Sequence, residues 1–365
     1  MELRLNRAEF LAELLPMQGI VERRTTIPVL SHLLLRASGD TLHIAATDLD
    51  VSLTSSVPAD VRREGGIAVQ AKKFVEIIRS LVGEEVKLVL DDAHALTVTA
   101  GSSRFKIHGL APQDFPSLPD VGQQKAVEIP FQILRRMIAR VIFAVSTEES
   151  RFQLNGALMK LKSKAVELVA TDGHRLALVE DTVEGVKEAD GILVPRKALQ
   201  ELQRFEGEGD VAYRRGEHHL SFRIGRRELI CRILEGTFPD YERVIAKDND
   251  RKVVFERLGL QAAVQRVAIL TGDRARAVRL QLGPGKLTIS AANPDLGEAT
   301  EEIACDYAGG ELKLGINPDY MGQFLSAVDT EKVRLELKDE NTQCVGFPVD
   351  GEDQRYLCVI MPMRV

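Results

Sequence analysis

Apolar and polar positions alternate over Leu33 to Ala37, Ala157 to Leu161 and Val278 to Leu282, and a period of two predicts strands with one buried face. A second run follows each of these: Leu42-His43-Ile44-Ala45-Ala46-Thr47-Asp48, Glu167-Leu168-Val169-Ala170-Thr171-Asp172, and Leu287-Thr288-Ile289-Ser290-Ala291-Ala292-Asn293. Other stretches have helical spacing. Phe10, Leu11, Leu14 and Leu15 make an apolar stripe with Arg7 and Glu13 turned elsewhere, so one face of a helix is expected to pack on a sheet. Helices are predicted over 7–18, 71–82, 130–142, 195–205, 256–269 and 317–328. Pro130 and Pro195 suit a first helical turn, and Gly65-Gly66, Asp91-Asp92, Gly283-Pro284-Gly285 and Gly309-Gly310 read as turns.

These elements come in three copies. Aligning Ala46, Ala170 and Ala291 gives a period of roughly 120 residues. The same spacing superimposes the helical segments Ala71 to Val82, Pro195 to Phe205 and Asn317 to Val328, and Phe115-Pro116, Phe238-Pro239 and Met361-Pro362 close the copies. One copy reads as a short strand, an amphipathic helix, three strands, a second helix, and three or four strands, which is an α+β unit. Domain boundaries therefore fall near 122 and 247, giving domains 1–122, 123–247 and 248–365 joined by linkers Pro119 to Lys125 and Ala246 to Arg251.

A chain of 365 residues exceeds one ordinary core, and 44% hydrophobic with 28% charged residues is the balance of a fully folded globular protein. Met1-Glu2-Leu3-Arg4 opens no leader, and the longest apolar run, near Val141 to Val145, falls far short of the roughly 20 residues that span a bilayer. A cytoplasmic protein without membrane contact is expected. Cys231, Cys305, Cys344 and Cys358 are scattered, with no zinc-ligand spacing, and read as reduced, buried small hydrophobes.

The net charge of -6 gives no general attraction for nucleic acid, but its distribution does. The predicted helices hold Arg7, Lys72, Lys73, Arg79, Arg135, Arg136, Arg140, Arg196, Lys197, Arg204, Arg257 and Arg266 against Glu9, Glu13, Glu76, Glu201, Glu256 and Asp319, so basic helices sit in an acidic chain. Any single such helix reads as a solvated face. Three-fold repetition would collect the faces on one surface suited to a phosphate backbone, and the absence of Trp with only 5 Tyr favours duplex over stacked single strands.

Catalytic constellations are missing. Gly283-Pro284-Gly285-Lys286 lacks the first glycine and the Ser/Thr of a phosphate loop and reads as a hairpin turn. Thr171-Asp172-Gly173-His174-Arg175 gathers an acid, an imidazole and a guanidinium. Its repeat equivalents, Thr47-Asp48-Leu49-Asp50 and Ala292-Asn293-Pro294-Asp295, show the acid position to be a strand-end residue that satisfies local backbone groups. Gly173-His174-Arg175-Leu176 belongs to the middle copy alone and reads as a binding surface, and Met361-Pro362-Met363 offers adaptable apolar surface beyond a last core strand. No cofactor, metal or ATP site is expected.

Thr26-Ile27-Pro28-Val29-Leu30, Ala46-Thr47-Asp48-Leu49, Leu154-Asn155-Gly156, Ala170-Thr171-Asp172-Gly173-His174-Arg175-Leu176, Phe238-Pro239-Asp240-Tyr241 and Val359-Ile360-Met361-Pro362-Met363-Arg364 resemble the bacterial sliding clamp family, the β subunit of DNA polymerase III, over the whole chain. The resemblance implies three repeated domains of the clamp fold, each with two inner helices and outer antiparallel sheets. Two chains would close head to tail into a homodimeric ring around duplex DNA, held by topology, conferring processivity without catalysis. It further implies a pocket for short linear motifs of the polymerase III α subunit, the clamp loader, other polymerases, mismatch repair proteins and ligase. Residue by residue, that pocket comprises Leu154, Thr171, Gly173, His174, Arg175, Leu176, Pro239, Arg243, Val244, Asn317, Tyr320, Thr342, Cys344, Val359, Ile360, Met361, Pro362, Met363 and Arg364. Leu176, Val244, Val359 and Met361 would be apolar walls, with His174 and Arg175 on the rim. DNA contacts carried over are Arg24, supported by Lys72, Lys73, Arg135, Arg136, Arg140, Arg196 and Lys197; the ring joint would use Phe105, Ile269 and Leu270.

Two positions depart from the family pattern. Glu148, next to Glu149, stands at a polar DNA-contact position, and Cys344 replaces a small hydroxyl residue in the pocket. Two other readings compete: a scaffold with the same pocket that never closes around DNA, and a hydrolase using Asp172 and His174.

Overall fold

In the computed structural model the described residues are 1–22, 26–122, 124–272, 276–351 and 355–364. The first third runs β1 (Glu2–Asn6), α1 (Arg7–Ile20), β2 (His32–Ser38), β3 (Thr41–Thr47), β4 (Val51–Pro58), β5 (Asp60–Arg63), β6 (Gly65–Gln70), α2 (Ala71–Ser80), β7 (Glu85–Leu90), β8 (Ala95–Ala100) and β9 (Ser103–His108). The second runs β10 (Val127–Pro130), α3 (Phe131–Val141), β11 (Gly156–Lys162), β12 (Ala165–Thr171), β13 (Arg175–Thr182), β14 (Ala189–Pro195), α4 (Arg196–Arg204), β15 (Asp210–Arg215), β16 (His219–Ile224) and β17 (Arg227–Arg232). The third runs β18 (Arg251–Glu256), α5 (Arg257–Ala268), β19 (Val278–Gly283), β20 (Lys286–Asn293), β21 (Gly297–Ala304), β22 (Leu312–Ile316), α6 (Pro318–Ala327), β23 (Lys332–Leu337), β24 (Cys344–Pro348) and β25 (Arg355–Ile360).

All six predicted helices form; five are shorter than expected at one or both ends, and α1 runs on to Ile20. Asn6 accepts from the Ala8 and Glu9 N–H groups at 2.9 and 3.1 Å, and Asn317 accepts from Asp319 and Tyr320 at 2.9 and 3.3 Å, so each is a cap rather than a helical residue. Pro130 and Pro195 end strands and precede their helices, instead of occupying the first turn; Pro318 takes that place in α6. The buried stripe of α1 is Phe10, Leu14, Met17 and Ile20, and Leu15 is 41% exposed: spacing of three and four outweighs the adjacent pairs that the local pattern suggested.

The strand-like run expected before each second helix forms, but the strands between the helices outnumber the three expected. β6, β14 and β22 lead into the second helix of each copy, so at least four strands, not three, separate the helices. Gly65-Gly66 accordingly opens β6 rather than making a turn. These short, glycine-bearing segments are too brief for alternation to declare itself.

By compactness the chain divides into one unit of Met1–Gln132 with Lys197–Ile233 and another of Ile133–Arg196 with Leu234–Val365. Within the first, one sheet has the order β5-β1-β7-β8-β9 and a second the order β10-β15-β16-β17-β4-β3-β2-β6. Here the last strand of the second copy pairs with the first copy, Leu229 opposite Leu53 and Cys231 opposite Val51. α1 and α2 pack together through Phe10 and Phe74, whose ring centroids lie 5.8 Å apart. The other unit holds the sheet β14-β11-β12-β13-β25-β24-β23-β18 and the smaller sheet β21-β20-β19-β22. There β25 pairs along β13, Leu176 opposite Val359, while α5 and α6 pack side by side, with Gln261 donating to Ser326 at 2.7 Å.

Cys231, Cys344 and Cys358 are buried, whereas Cys305 is half-buried, and all four are free. α6 packs closely on β24 at Gly346, where a Cβ would lie 2.5 Å from Cε1 of Phe324. Gly346→Ala is expected to destabilise by about 1–3 kcal/mol through this overpacking, read as a lower urea midpoint; an unchanged midpoint would show that Phe324 can give way.

Candidate binding surface of the second unit

The Thr171-to-Leu176 turn shows why its acid is structural. Asp172 Oδ1 accepts from the His174 and Arg175 N–H groups at 2.9 and 3.0 Å; Asp48 does the same for Asp50 and Val51 at 3.0 and 2.6 Å, and Asn293 for Asp295 at 2.9 Å. Gly173 has a φ of +89°, and a Cβ there would lie 2.7 Å from the Arg151 guanidinium. Thr171 donates to the Arg175 carbonyl at 2.6 Å and accepts from the Gly173 N–H at 3.1 Å, closing the turn.

Arg175 is not a rim residue. It is 9% exposed, with Nε on Asp172 Oδ2 at 3.0 Å and its remaining nitrogens donating to Gln323 and the Phe143 carbonyl. Its guanidinium stacks 4.3 Å from the Tyr320 ring centroid on α6 and 5.3 Å from that of Phe143. A buried cation with each face and fork occupied is a cross-link. His174 is exposed beside it, and its carbonyl accepts from the Met361 N–H at 2.9 Å.

Strand pairing then assembles much of the rest. Arg175 and Leu176 lie opposite Ile360 and Val359, and Cys344 lies opposite Ile360 across β24. Leu176 and Val359 are 2% and 1% exposed and share a cluster with Tyr241, Ile245 and Val345, on which Val244 packs. Leu154, Thr171, Leu176, Cys344, Val359 and Ile360 are therefore closed in and form a foundation, while Pro239, Arg243 and Arg364 are exposed. Val244, Asn317, Tyr320, Thr342, Met361, Pro362 and Met363 are half-buried. Arg243 and Thr342 line a depression of about 580 Å³ together with Asp240, Ile245 and Lys247. Met363 donates to the Gly315 carbonyl at 2.9 Å, so the tail lies from the His174 turn to β22. Burial pushes the Cys344 thiol up to about 12, which removes it as a nucleophile.

Sequence reasoning missed Arg151, Gln323 and Phe143, which hold the His174 turn; nothing in their local pattern marks them, because they act through tertiary contact. Among the basic residues, Arg140 is 3% exposed, donating to the Ala327 carbonyl and, at 2.7 Å, to Asp329, so it braces α3 instead of facing solvent. Lys197 is likewise committed, to the Ile20 carbonyl at 2.8 Å and to Asp48. Arg136 pairs with Asp181, Arg135 and Arg196 are half-buried, and Lys72 and Lys73 are exposed, with Lys73 on Glu76 at 2.8 Å. Phe105 lies on edge strand β9 at 36% exposure, Ile269 follows α5 at 75%, and Leu270 is half-buried. Arg24 lies outside the described residues.

A thrice-repeated helix-and-sheet unit whose Asp172–Arg175 cluster is spent on bracing has the build of a scaffold. Comparison with known proteins places it. Three family models match: the N-terminal domain of the DNA polymerase III beta subunit over residues 1–119, the central domain over 128–240 and the C-terminal domain over 242–364. The beta sliding clamp of Pseudomonas putida is 38% identical and that of Escherichia coli 32%, each with complete coverage of both chains. The crystal structure of the DNA polymerase III subunit beta from Pseudomonas aeruginosa superposes with a TM-score of 0.94 at 36% identity, covering 100% of both chains; a sliding clamp from Bartonella birtlesii bound to griselimycin matches with a TM-score of 0.94 at 33% identity and the same coverage. The chain belongs to the DNA polymerase III beta subunit family. It is a sliding clamp for replication, a processivity factor rather than a catalyst, of a family whose chains close in pairs into rings.

Arg175→Ala is expected to cost about 3–5 kcal/mol in unfolding by urea, because Asp172 and the Phe143 carbonyl lose their partner inside the fold. Arg175→Lys is expected to recover little of it, since an ammonium cannot reproduce the fork. Wild-type stability of either variant would contradict the bracing role.

Proposed function

We propose that two copies of this chain close head to tail around duplex DNA by pairing β9 of one with β21 of the other, and that the surface around His174, Val244 and Met361 receives short linear motifs of replication and repair proteins. The observation that carries the joint is the inequality of the sheets. Two sheets are complete at eight strands because β17 adds to β4 and β25 to β13. β9 corresponds to β17, and β21 to β4 and β13, yet both end their sheets unpaired.

The internal repeat supports a register. Hairpins Ala100↔Ser103 and Ile224↔Arg227 align β9 with β17, while Ala46↔Leu53 and Ala291↔Ala299 align β4 with β21. Leu229 opposite Leu53 then translates to Phe105 opposite Ala299, and Ile230 opposite Ser52 to Lys106 opposite Glu298. β9 bears Arg104, Lys106 and His108, and β21 bears Glu298, Glu301 and Glu302, so the edges are complementary in charge. Lys106 would exchange its present Asp91 partner, 3.0 Å away, for Glu298. Ile269 and Leu270, beyond the end of a helix that packs against β21, would bury apolar surface beside the joint.

Domain boundaries near 122 and 247 fit this reading. For DNA, exposed Lys72 offers reach, Lys73 would exchange its surface pair with Glu76 for a phosphate, Arg135, Arg136 and Arg196 contribute field, and Arg24 keeps its place by resemblance. Arg140 and Lys197 act as braces. Contacts of this kind are non-specific and salt-sensitive, and topology supplies retention. For the partner surface, half-buried Val244 and Met361 would take an apolar anchor and exposed His174 and Arg243 would fix peptide backbone or acids. The proposed partners are the polymerase III α subunit, the clamp loader, other polymerases, mismatch repair proteins and ligase; griselimycin on a related clamp supports a ligand site in the family.

Loaded onto nicked circular duplex by its clamp loader with ATP, the protein is expected to stay at moderate salt and to leave when the circle is cut; indifference to linearisation would refute the ring. Ile269→Ala with Leu270→Ala is expected to sediment as a folded monomer that loses retention yet still binds partner peptide, and a persistent dimer would displace the joint. Lys106→Glu is expected to weaken dimerisation about threefold to tenfold at low salt and Glu298→Lys in the same chain to restore it. Failure of that rescue would overturn the register.

A further inference from the structure

The two eight-stranded sheets can be compared row by row. Across β11, β12 and β13 one row reads Lys160, Glu167, Glu180; across β2, β3 and β4 the equivalent row reads Arg36, His43, Ser56. In the second copy this row is filled. Tyr241 donates to Glu167 Oε1 at 2.6 Å and accepts from Lys160 Nζ at 2.8 Å, and that ammonium sits 4.6 Å from the Tyr241 ring centroid. Lys162 joins Glu167 at 2.6 Å and also bonds Glu180, so the two acids and two lysines balance over a fully buried Glu167.

In the first copy the phenol, both acids and one lysine of the plug are replaced, while Arg36 keeps the positive charge of Lys160. Phe115-Pro116-Ser117-Leu118 matches Phe238-Pro239-Asp240-Tyr241, placing Leu118 where the phenol stands. Ser38 replaces Lys162, and the neighbouring row Leu158, Val169, Leu178 is cut back to Leu34, Ala45, Thr54. What remains is a depression of about 720 Å³ lined by Arg36, His43, Ser56 and Leu118 and by Arg223 and Arg226 of the adjoining β16–β17 hairpin.

Its charge is unbalanced where the filled site is neutral. Arg36 is exposed and, among the described residues, has neither hydrogen-bond nor ion-pair partner. Arg223 pairs at 2.9 Å with Glu228, a half-buried acid that also lines the depression, so three arginines face one lining carboxylate; Arg226 pairs with Glu9 at 3.4 Å at an exposed position where such a pair is easily exchanged.

We propose that this depression docks a short acidic segment of another protein bearing one aromatic residue, which supplies from outside the ring and carboxylates that Tyr241, Glu167 and Glu180 supply within the second copy. The ring seats on Leu118 and Ala45 with Arg36 over its face, and the flanking carboxylates reach Arg36, Arg223 and Arg226. The site is separate from the His174 surface, since its lining belongs to the other compact unit.

The probe is an acetylated, amidated, dye-labelled peptide Pro-Asp-Tyr-Glu-Glu, followed by fluorescence anisotropy against the full chain. Saturable binding is expected, weakened about tenfold or more by Arg36→Glu, as loss of a charged hydrogen bond implies. The Leu118→Tyr, His43→Glu double variant rebuilds the internal plug and is expected to weaken binding comparably, and so is Tyr→Ala in the peptide. Should the double variant not fold, Arg36→Glu at an unchanged thermal midpoint decides alone. No saturable binding, equal binding by Arg36→Glu, or equal displacement by inorganic phosphate or duplex DNA would overturn the proposal, the last by showing a general anion surface. Retention of Arg36→Glu on circular DNA is expected to be unchanged, so failure here is distinguishable from failure of the clamp reading.

Discussion

An exposed strand edge is a row of unsatisfied N–H and C=O groups, and the architecture of this chain follows from how its edges are covered. The last strand of each copy pairs on only one edge inside its own half-sheet. β17 finds β4 and β25 finds β13, and the pairing fuses halves of successive copies into continuous sheets. The compact units therefore cut across the repeats: the second copy gives four strands to each of two eight-stranded sheets, and a neighbouring copy supplies the other four. The segment after each last strand is carried over the sheet, where Phe115 in one copy and Tyr241 in the next become core residues. β9 and β21 each stand at the end of a sheet, where the proposed joint would pair them.

A second theme is the division of arginines and lysines between bracing and display. Helix cations counted along a sequence all look alike. In the fold, Arg140 and Arg175 are buried cross-links whose donors meet carbonyls and acids, Lys197 ties a helix to the end of β3, and Lys72 and Lys73 extend into solvent. Desolvation makes the difference: a buried guanidinium is stable only when each fork is filled, so it is committed before any ligand arrives. The apparent catalytic cluster at Asp172 resolves in the same way, its carboxylate spent on two backbone N–H groups and Arg175.

Much of the fold was legible along the chain because its signals are local and occur three times. The strand pairs ending at Asp48, Asp172 and Asn293, the six helices, the hairpin at Pro284 and the turn role of the acid position all rest on spacing and side-chain capping. The number of strands between the helices was not legible, since short runs with glycine carry no periodicity, and neither was the burial of Met17 in place of Leu15, because adjacent leucines fit two stripes equally. At the partner surface, residue identities came from resemblance, while their division into foundation and exposed surface came from strand pairing: Leu176, Val359 and Cys344 are closed in, and Arg151, Gln323 and Phe143 enter only through space.

The amino-acid sequence by itself determined the three-fold repeat, the element types, the lack of a catalytic constellation and, through shared motifs, the family. These depend on interactions between residues close in the chain, or on comparing the chain with itself. Only the tertiary structure decided which edges are satisfied, which cations are free, and that Leu118 leaves open what Tyr241 fills. Those properties arise between residues far apart in sequence, where burial and pairing set the cost of each charge and each hydrogen bond.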